Sequence, residues 1–349
     1  MHTLKRRSRV MRPVIVAATA LVIGIVVAAC GSSNDNNGTS GAKPSGGIQG
    51  KRLIMMVQSS ADPSKVVEAH TIELLKQRGV NASIKFNEST PNVAISQLLS
   101  GNIDVYAEGV TGGIAGVLQG IPLVDFAVLQ PRQDYVFLAH KGINTLQDLK
   151  GKKIGVQDTT GANYAQALMV LQKAGLSVKD VSIVAVGGQS SRLPALLAGR
   201  VDATMLSHGA EIKLQGKGFN NLFDYTKEAS NLYDDNAFAT KKWLSQNKDL
   251  AVAFNKAVLD SFKWFNDPAN ANAVTDEALK LAPGTDRAAA SGLFDLLRKA
   301  GAYPEGATVD STVLDSSQKL FKSVGAVDGT APVADWVDSS FATQAKSAG

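Results

Sequence analysis

The 349-residue chain has a single cysteine, Cys30. That excludes an intrachain disulfide framework and a zinc site built from cysteines. Histidine is scarce as well: His2, His70, His140 and His208 are scattered too widely to form a metal-ligand motif. The nucleophile elbow G-x-S-x-G, the H-E-x-x-H helix, the P-loop and the EF-hand loop are all missing, which removes the commonest hydrolase, metalloprotease, nucleotide and calcium signatures. With 32 glycines and 11 prolines, collagen-like and mucin-like chains are excluded too. The body also lacks excess charge. Lys5, Arg6, Arg7, Arg9 and Arg12 carry the whole formal surplus of +5, and the residues beyond 29 hold 31 bases against 31 acids. A nucleic-acid footprint is therefore not expected. What is present is a globular composition, 44% hydrophobic and 19% charged, over a length that accommodates two domains.

The basic start is followed by 16 uncharged residues, VIVAATALVIGIVVAA at 14–29. A comfortable membrane-spanning helix needs about 20. The run ends in Val27, Ala28, Ala29 and Cys30, and small residues before a cysteine resemble a bacterial lipobox. That resemblance implies a signal peptide at 1–29, cleavage before Cys30 and a lipid on its sulfur, holding the protein outside the cytoplasm at the cell membrane. Residues 30–50 then read as a flexible tether, because glycine, serine and asparagine fill 13 of the 20 positions from 31 to 50. Its random-coil span is roughly 25 Å.

The body repeats once. LLSGNID at 98–104 matches LLAGRVD at 196–202: an apolar helix end, a glycine stop, then a strand starting at a turn carboxylate. Upstream, KRLIMMVQ at 51–58 matches KKIGVQ at 152–157, and each is followed by a polar turn and a helical pattern ending at Gly79 or Gly175. Strands follow at 83–86 and 181–186. Alternating strands and helices predict an α/β fold of two similar lobes with mostly parallel sheets. Residues 125–139 and 225–236 read as chain crossings, which places 51–137 plus 236–349 in lobe I and 138–235 in lobe II. From 240 the chain reads as helical, with segments at 241–247, 251–266, 269–281, 285–300 and 311–324.

Several stretches carry a more specific likeness: LQDLKGKKIGV at 146–156, LQKAGL at 171–176, VKDV at 178–181, ALLAGRVDA at 195–203, FATKKWLSQN at 238–247 and WFNDP at 264–268. In this order they resemble the type 2 substrate-binding proteins of ABC importers, in the SsuA/TauA/ThiY-like branch that binds sulfonates, taurine, nitrate or thiamine-pyrimidine precursors. The resemblance spans about residues 51–300. It implies a type 2 periplasmic-binding-protein architecture with a helical C-terminal region. It also implies a monomer without cofactor or metal, a small-molecule ligand, and a membrane permease as partner.

In open α/β sheets ligands bind at the carboxyl ends of strands, beside helix starts. That rule selects Ser59, Ser60 and Asp62; Glu88, Ser89 and Thr90; Glu108 and Thr111; Asp158, Thr159, Thr160 and Asn163; Gln189, Ser190 and Arg192; and His208. The same residue types also cap helices without any ligand, at about 1 kcal/mol each. Gly112 and Gly113 allow either ligand approach or close helix packing. His208 reads as structural or as a contact, and Tyr106 and Tyr164 as stacking platforms or scaffold. Near these mouths Asp62, Glu88, Glu108, Asp158 and Asp235 outnumber Arg132 and Arg192, which points away from a simple oxyanion and toward an amine, a zwitterion or a ring with N–H donors. The leading function is a non-enzymatic receptor that feeds an ABC permease. The alternatives are a ligand-sensing surface domain for a signalling partner and a surface enzyme. The fungal pyrimidine synthase resembles these binders in fold, but it depends on a cysteine-rich motif that this chain lacks.

Overall fold

The computed structural model describes residues 47–347 except 59–61, 88, 160, 215 and 230–231. Ten strands form two five-stranded sheets. The first holds β1 (Arg52–Gln58), β2 (Asn81–Asn87), β3 (Val105–Gly109) and β4 (Leu123–Gln130). The second holds β5 (Tyr135–His140), β6 (Lys153–Val156), β7 (Ser182–Ala185), β8 (Ala203–Ser207) and β9 (Phe219–Asp224). The last strand, β10 (Asp235–Thr240), returns to the first sheet. The orders β2-β1-β3-β10-β4 and β7-β6-β8-β5-β9 are the same pattern. In each, one strand runs antiparallel to its two neighbours: β10 between β3 and β4, and β5 between β8 and β9. Each of these is the first strand made after the chain changes sheets. The architecture is the expected pair of similar α/β lobes, each a mixed sheet with flanking helices. The boundary placed at 137/138 falls inside β5, and register assigns all of Tyr135–His140 to the second sheet. The change of sheet therefore occurs in residues 131–134.

The repeat explains why both halves fold alike. Helices Pro91–Leu99 and Gln189–Leu197 each end before a glycine at positive φ, Gly101 at 74° and Gly199 at 65°. A side chain is strained in that region. The carboxylates that follow do equivalent work: Asp104 Oδ2 accepts from the Ile54 amide at 2.8 Å, and Asp202 Oδ2 from the Lys153 amide at 2.7 Å. They tie the start of β3 to β1 and the start of β8 to β6.

Apolar spacing builds the core. In helix Lys248–Asn266, Leu250, Phe254, Ala257, Val258, Phe262 and Phe265 recur every three or four residues and are buried. They face one side of the first sheet with Leu75, Leu293 and Phe294. Ile95, Tyr106, Ile114 and Phe238 fill the other side. Here Gly112 and Gly113 serve packing: a Cβ on Gly112 would lie 2.3 Å from the Tyr106 hydroxyl, and one on Gly113 2.2 Å from Phe238. Tyr106 is fully buried scaffold.

Two features were not read from the sequence. Residues 47–50, expected as tether, are fixed to the fold: Gly50 N–H donates to Gly79 at 2.8 Å, and Ile48 packs on the core. At the other end Trp336 is buried, its carbonyl accepts from the Asp125 amide at 2.8 Å, and helix Ser340–Ser347 follows. This strap covers β4. Among the described residues no helix is long and apolar enough to cross a membrane.

Candidate functional site

The carboxyl ends of β1, β2 and β3 meet those of β6, β7 and β8. Gln58, the last residue of β1, donates through its side chain to Gln157, which follows β6. Gln157 donates in turn to the Ser89 carbonyl at 2.9 Å. Gln189 Nε2 donates to Asp62 Oδ2 at 3.0 Å, while its carbonyl oxygen accepts from the Ser207 amide at 2.7 Å. Gly109 lies so close to Ala162 that a Cβ on the glycine would sit 2.6 Å from the alanine's.

Between these contacts lies a buried polar interior. Glu108 is 1% exposed, and neither carboxylate oxygen has a hydrogen-bond partner among the described residues. Burial is the main cause that holds it well above the ordinary carboxyl range, with the Asn87 side chain opposing and Asp235 and Asp158 adding. Asp158 turns one oxygen toward the Gly161 amide at 2.6 Å, at the start of helix Ala162–Lys173. Arg192 is buried: its Nε donates to the Met205 carbonyl at 3.2 Å and its Nη1 to the Gly187 carbonyl at 2.9 Å. Burial lowers its pKa to about 10, with Asp158 and Asp62 among the groups that oppose the shift. Among the described residues, a buried guanidinium without a carboxylate in salt-bridge contact and a buried carboxylate without a donor in good geometry thus both lie within the influence of Asp158.

A second cluster lies where the chain changes sheets. A register irregularity between Asp235 and Asn236 sets Asp235 beside Gly109 and Gln130. There it pairs with Lys65, whose ammonium also meets Gln130 at 3.1 Å and Glu68 at 3.4 Å. Burial opposes the charge on Lys65, but the attraction of Asp235 and Glu68 outweighs it, and the pKa stands well above the usual lysine value. Burial drives Glu68 the other way, to about 7, despite Lys65. His208 lies between Asp134 at 3.0 Å and Asp224 at 3.4 Å. Burial works against its charge, yet the two carboxylates raise it to about 10. His208 therefore links the first crossing, through Asp134, to the end of β9, through Asp224. Gln133 laces the same region: it donates to the Tyr233 carbonyl at 2.9 Å and accepts from Gln166, which also accepts from Asn163 at 2.8 Å.

Of the residues predicted from sequence, the structure brings Asp62, Glu108, Asp158, Asn163, Gln189 and Arg192 together at or near the cleft. Thr111 is buried in the first turn of helix Val110–Leu118. Ser89 is exposed and contributes its carbonyl, and Thr90 opens helix Pro91–Leu99 without a side-chain cap. Thr159 and Ser190 are exposed. Ser59, Ser60, Glu88, Thr160 and Cys30 lie outside the described residues. Lys65, Glu68, Asp134, Asp234, Gln58 and Gln157 were not singled out. The signal for the glutamines was in the repeat, since both copies end their first strand in Val-Gln.

Another cavity of about 650 Å³, also between the halves of the molecule, opens between His208, Asp224 and Lys227 on one side and Gly292, Asp295 and Lys299 on the other. Lys227 pairs with Asp224 at 2.8 Å, and Asp295 with Arg298 at 3.2 Å, so much of its charge is already matched.

The sequence profile described as NMT1/THI5 like matches residues 65–271, more than half of the chain. The chain belongs to the NMT1/THI5-like family. Two curated relatives match shorter stretches. One, a putative thiamine biosynthesis protein of Haemophilus influenzae, is 38% identical over 91 residues, 26% of this chain and 28% of the relative. The other, a 4-amino-5-hydroxymethyl-2-methylpyrimidine phosphate synthase of Schizosaccharomyces pombe, is 26% identical over 136 residues, 38% of each chain. The match thus spans well under half the length of either relative. Among solved structures, a ligand-binding component of an ABC-type import system from Staphylococcus aureus superposes with a TM-score of 0.71 at 15% identity, covering 84% of this chain and 99% of that one. The alkanesulfonate-binding protein SsuA of Xanthomonas axonopodis, bound to MOPS, gives 0.67 at 18% identity, covering 83% and 99%. This NMT1/THI5-like chain therefore has the fold of periplasmic binding proteins.

Proposed function

We propose that this protein is an extracytoplasmic receptor that captures a small polar organic molecule between two lobes and delivers it to an ABC import permease. The lobes are residues 51–134 with 235–349, and residues 135–234. The observation that carries the reading is Glu108, a buried carboxylate whose oxygens meet no donor in good hydrogen-bond geometry among the described residues, the Asn87 side chain being the group that partly offsets its burial, where strand ends of both sheets converge. Such a group is costly to the fold unless something else satisfies it. With Asp158 nearby, it favours a ligand bearing N–H donors or positive charge, in line with the relative named for thiamine biosynthesis. Lys65 does not turn the site into an anion site, because Asp235 and Glu68 already hold it.

The test is mass spectrometry of small molecules released from protein purified without heating. An amine, zwitterion or nitrogen heterocycle that raises the melting temperature and is recovered unchanged is expected. A plain sulfonate or nitrate would refute the ligand class, and catalytic consumption would refute the receptor role.

An enzyme is the second reading, since one relative is named as a pyrimidine phosphate synthase. Against it, Cys30 is the one thiol of the chain, and the buried amine of Lys65 is held as an ammonium ion, which is not a nucleophile.

We also propose that Cys30 carries the lipid anchor and the monomer works from the membrane surface. Cys30→Ala is expected to accumulate as unprocessed precursor and to lose labelling by a fatty-acid analogue. Normal cleavage and release of that variant would overturn the anchor.

A further inference from the structure

The contacts that close the cleft are made between protein groups on opposite lobes, so each favours closure whatever the cleft holds. Gln157 has two of them, through its oxygen to Gln58 and through its nitrogen to the Ser89 carbonyl. Gln157 as a residue is 7% exposed, so losing either partner leaves a polar group poorly solvated. Gln189 adds a third bond, to Asp62, and is held in place by its own bond to the Ser207 amide. Asp62 is itself oriented by accepting from the Ser64 amide at 2.9 Å. Beside them the backbone at Gly109 comes against Ala162, and Pro91 approaches Gly161 so that a Cβ there would lie 3.4 Å from its ring. Only a residue without a Cβ permits the Gly109 approach. Three amide–oxygen bonds and one glycine-dependent contact thus join the lobes on one rim. Gln58 and Gln157 occupy equivalent places in the repeat, so the two halves present a matching pair of glutamines at their meeting point.

We infer that Gln157 and Gln58 are positioning residues that latch the two lobes, with Gly109 as the contact that lets them meet, and that this latch populates the closed form independently of ligand. Ligand then stabilises a state the chain already visits, and the latch sets how much of the binding free energy is left for affinity. Gln157 makes two cross-lobe bonds and Gln58 one. Removing Gln157 therefore opens the lobes more than removing Gln58, which leaves the bond to Ser89 intact. Gly109→Ala opens them without removing any hydrogen bond.

The test is the interlobe distance distribution in the full chain, by double electron–electron resonance. Nitroxides are placed at Leu99→Cys and Leu197→Cys in a Cys30→Ser background, in detergent micelles. Both leucines are 51% exposed and lie on equivalent helices of different lobes, so neither label disturbs the cleft. The parent chain is expected to show a dominant short distance after exhaustive dialysis. Gln157→Ala should lower the closed-to-open ratio about tenfold or more, and Gln58→Ala by less. Gly109→Ala should shift the population to longer distances while melting temperature stays near that of the parent. Identical distributions in all four proteins would overturn the latch. A parent chain that is open after dialysis would do the same, and so would an equal effect of the two glutamines.

Discussion

Replacing Glu108 with glutamine is expected to weaken binding of the native ligand by about 30- to 1000-fold, equivalent to about 2–4 kcal/mol. The carboxylate is buried, neither oxygen meets a donor in good hydrogen-bond geometry among the described residues, and burial keeps its pKa well above the ordinary range although the Asn87 side chain opposes the shift. A cationic or N–H-bearing ligand favours the ionised form. Binding therefore lowers the pKa of Glu108 and releases a proton, so affinity should rise with pH through the range in which the free protein loses that proton. Glutamine keeps the shape but cannot ionise, so the variant should lose affinity and this pH dependence together. Stability should change little or improve, because a buried acid without a partner is removed. Isothermal titration calorimetry from pH 5 to 8, with the ligand identified by mass spectrometry, checks both effects. Unchanged affinity and an unchanged pH profile would mean that Glu108 is a scaffold carboxylate.

The largest expected effect on stability is that of Lys65→Met. Lys65 is the cation among Glu68, Asp234 and Asp235, all nearly inaccessible. Removing one partner from a buried ion cluster costs about 3–5 kcal/mol, because the remaining charges are left uncompensated. For a protein of this size that corresponds to a melting temperature lower by about 10 °C. The direction with pH follows from the shifts. In the native chain Lys65 is raised, so its contribution is complete below the ordinary lysine pKa and is lost as pH climbs through the raised value. Glu68 is raised to about 7 and Asp234 well above its usual value, so both oppose folding once ionised. Without Lys65 their pKa values rise further, and acidification relieves the variant by protonating them. The gap between the two melting temperatures should narrow from pH 8 to pH 5. A gap that is absent, or that stays constant with pH, would show that the cluster does not depend on the lysine.

Much of the architecture was legible because it is locally encoded. The glycine after each repeat helix, Gly101 and Gly199, marks a backbone region that disfavours side chains, and Asp104 and Asp202 signal a turn acceptor. The apolar spacing in 248–266 requires one buried helical face wherever that helix packs. The strap around Trp336 was missed because its stability comes from β4 and Phe238 rather than from a regular pattern of its own.

The chain's own sequence determined the repeated α/β units, the helix ends, the unusual N-terminus and the acidic bias of the strand ends, all of which follow from neighbours a few residues apart. Only the tertiary structure decided which of those acids are paired. Lys65 and Asp235 are 170 positions apart, Asp62 and Gln189 are 127 apart, and Gln58 and Gln157 are 99 apart. Each meeting depends on the two changes of sheet, at 131–134 and again before β10, which bring distant loops to one rim. A carboxylate looks the same in sequence whether it caps a helix, neutralises a lysine or waits for a ligand. The difference is set by the dielectric around it and by the partner within reach, and both are properties of the folded assembly of loops.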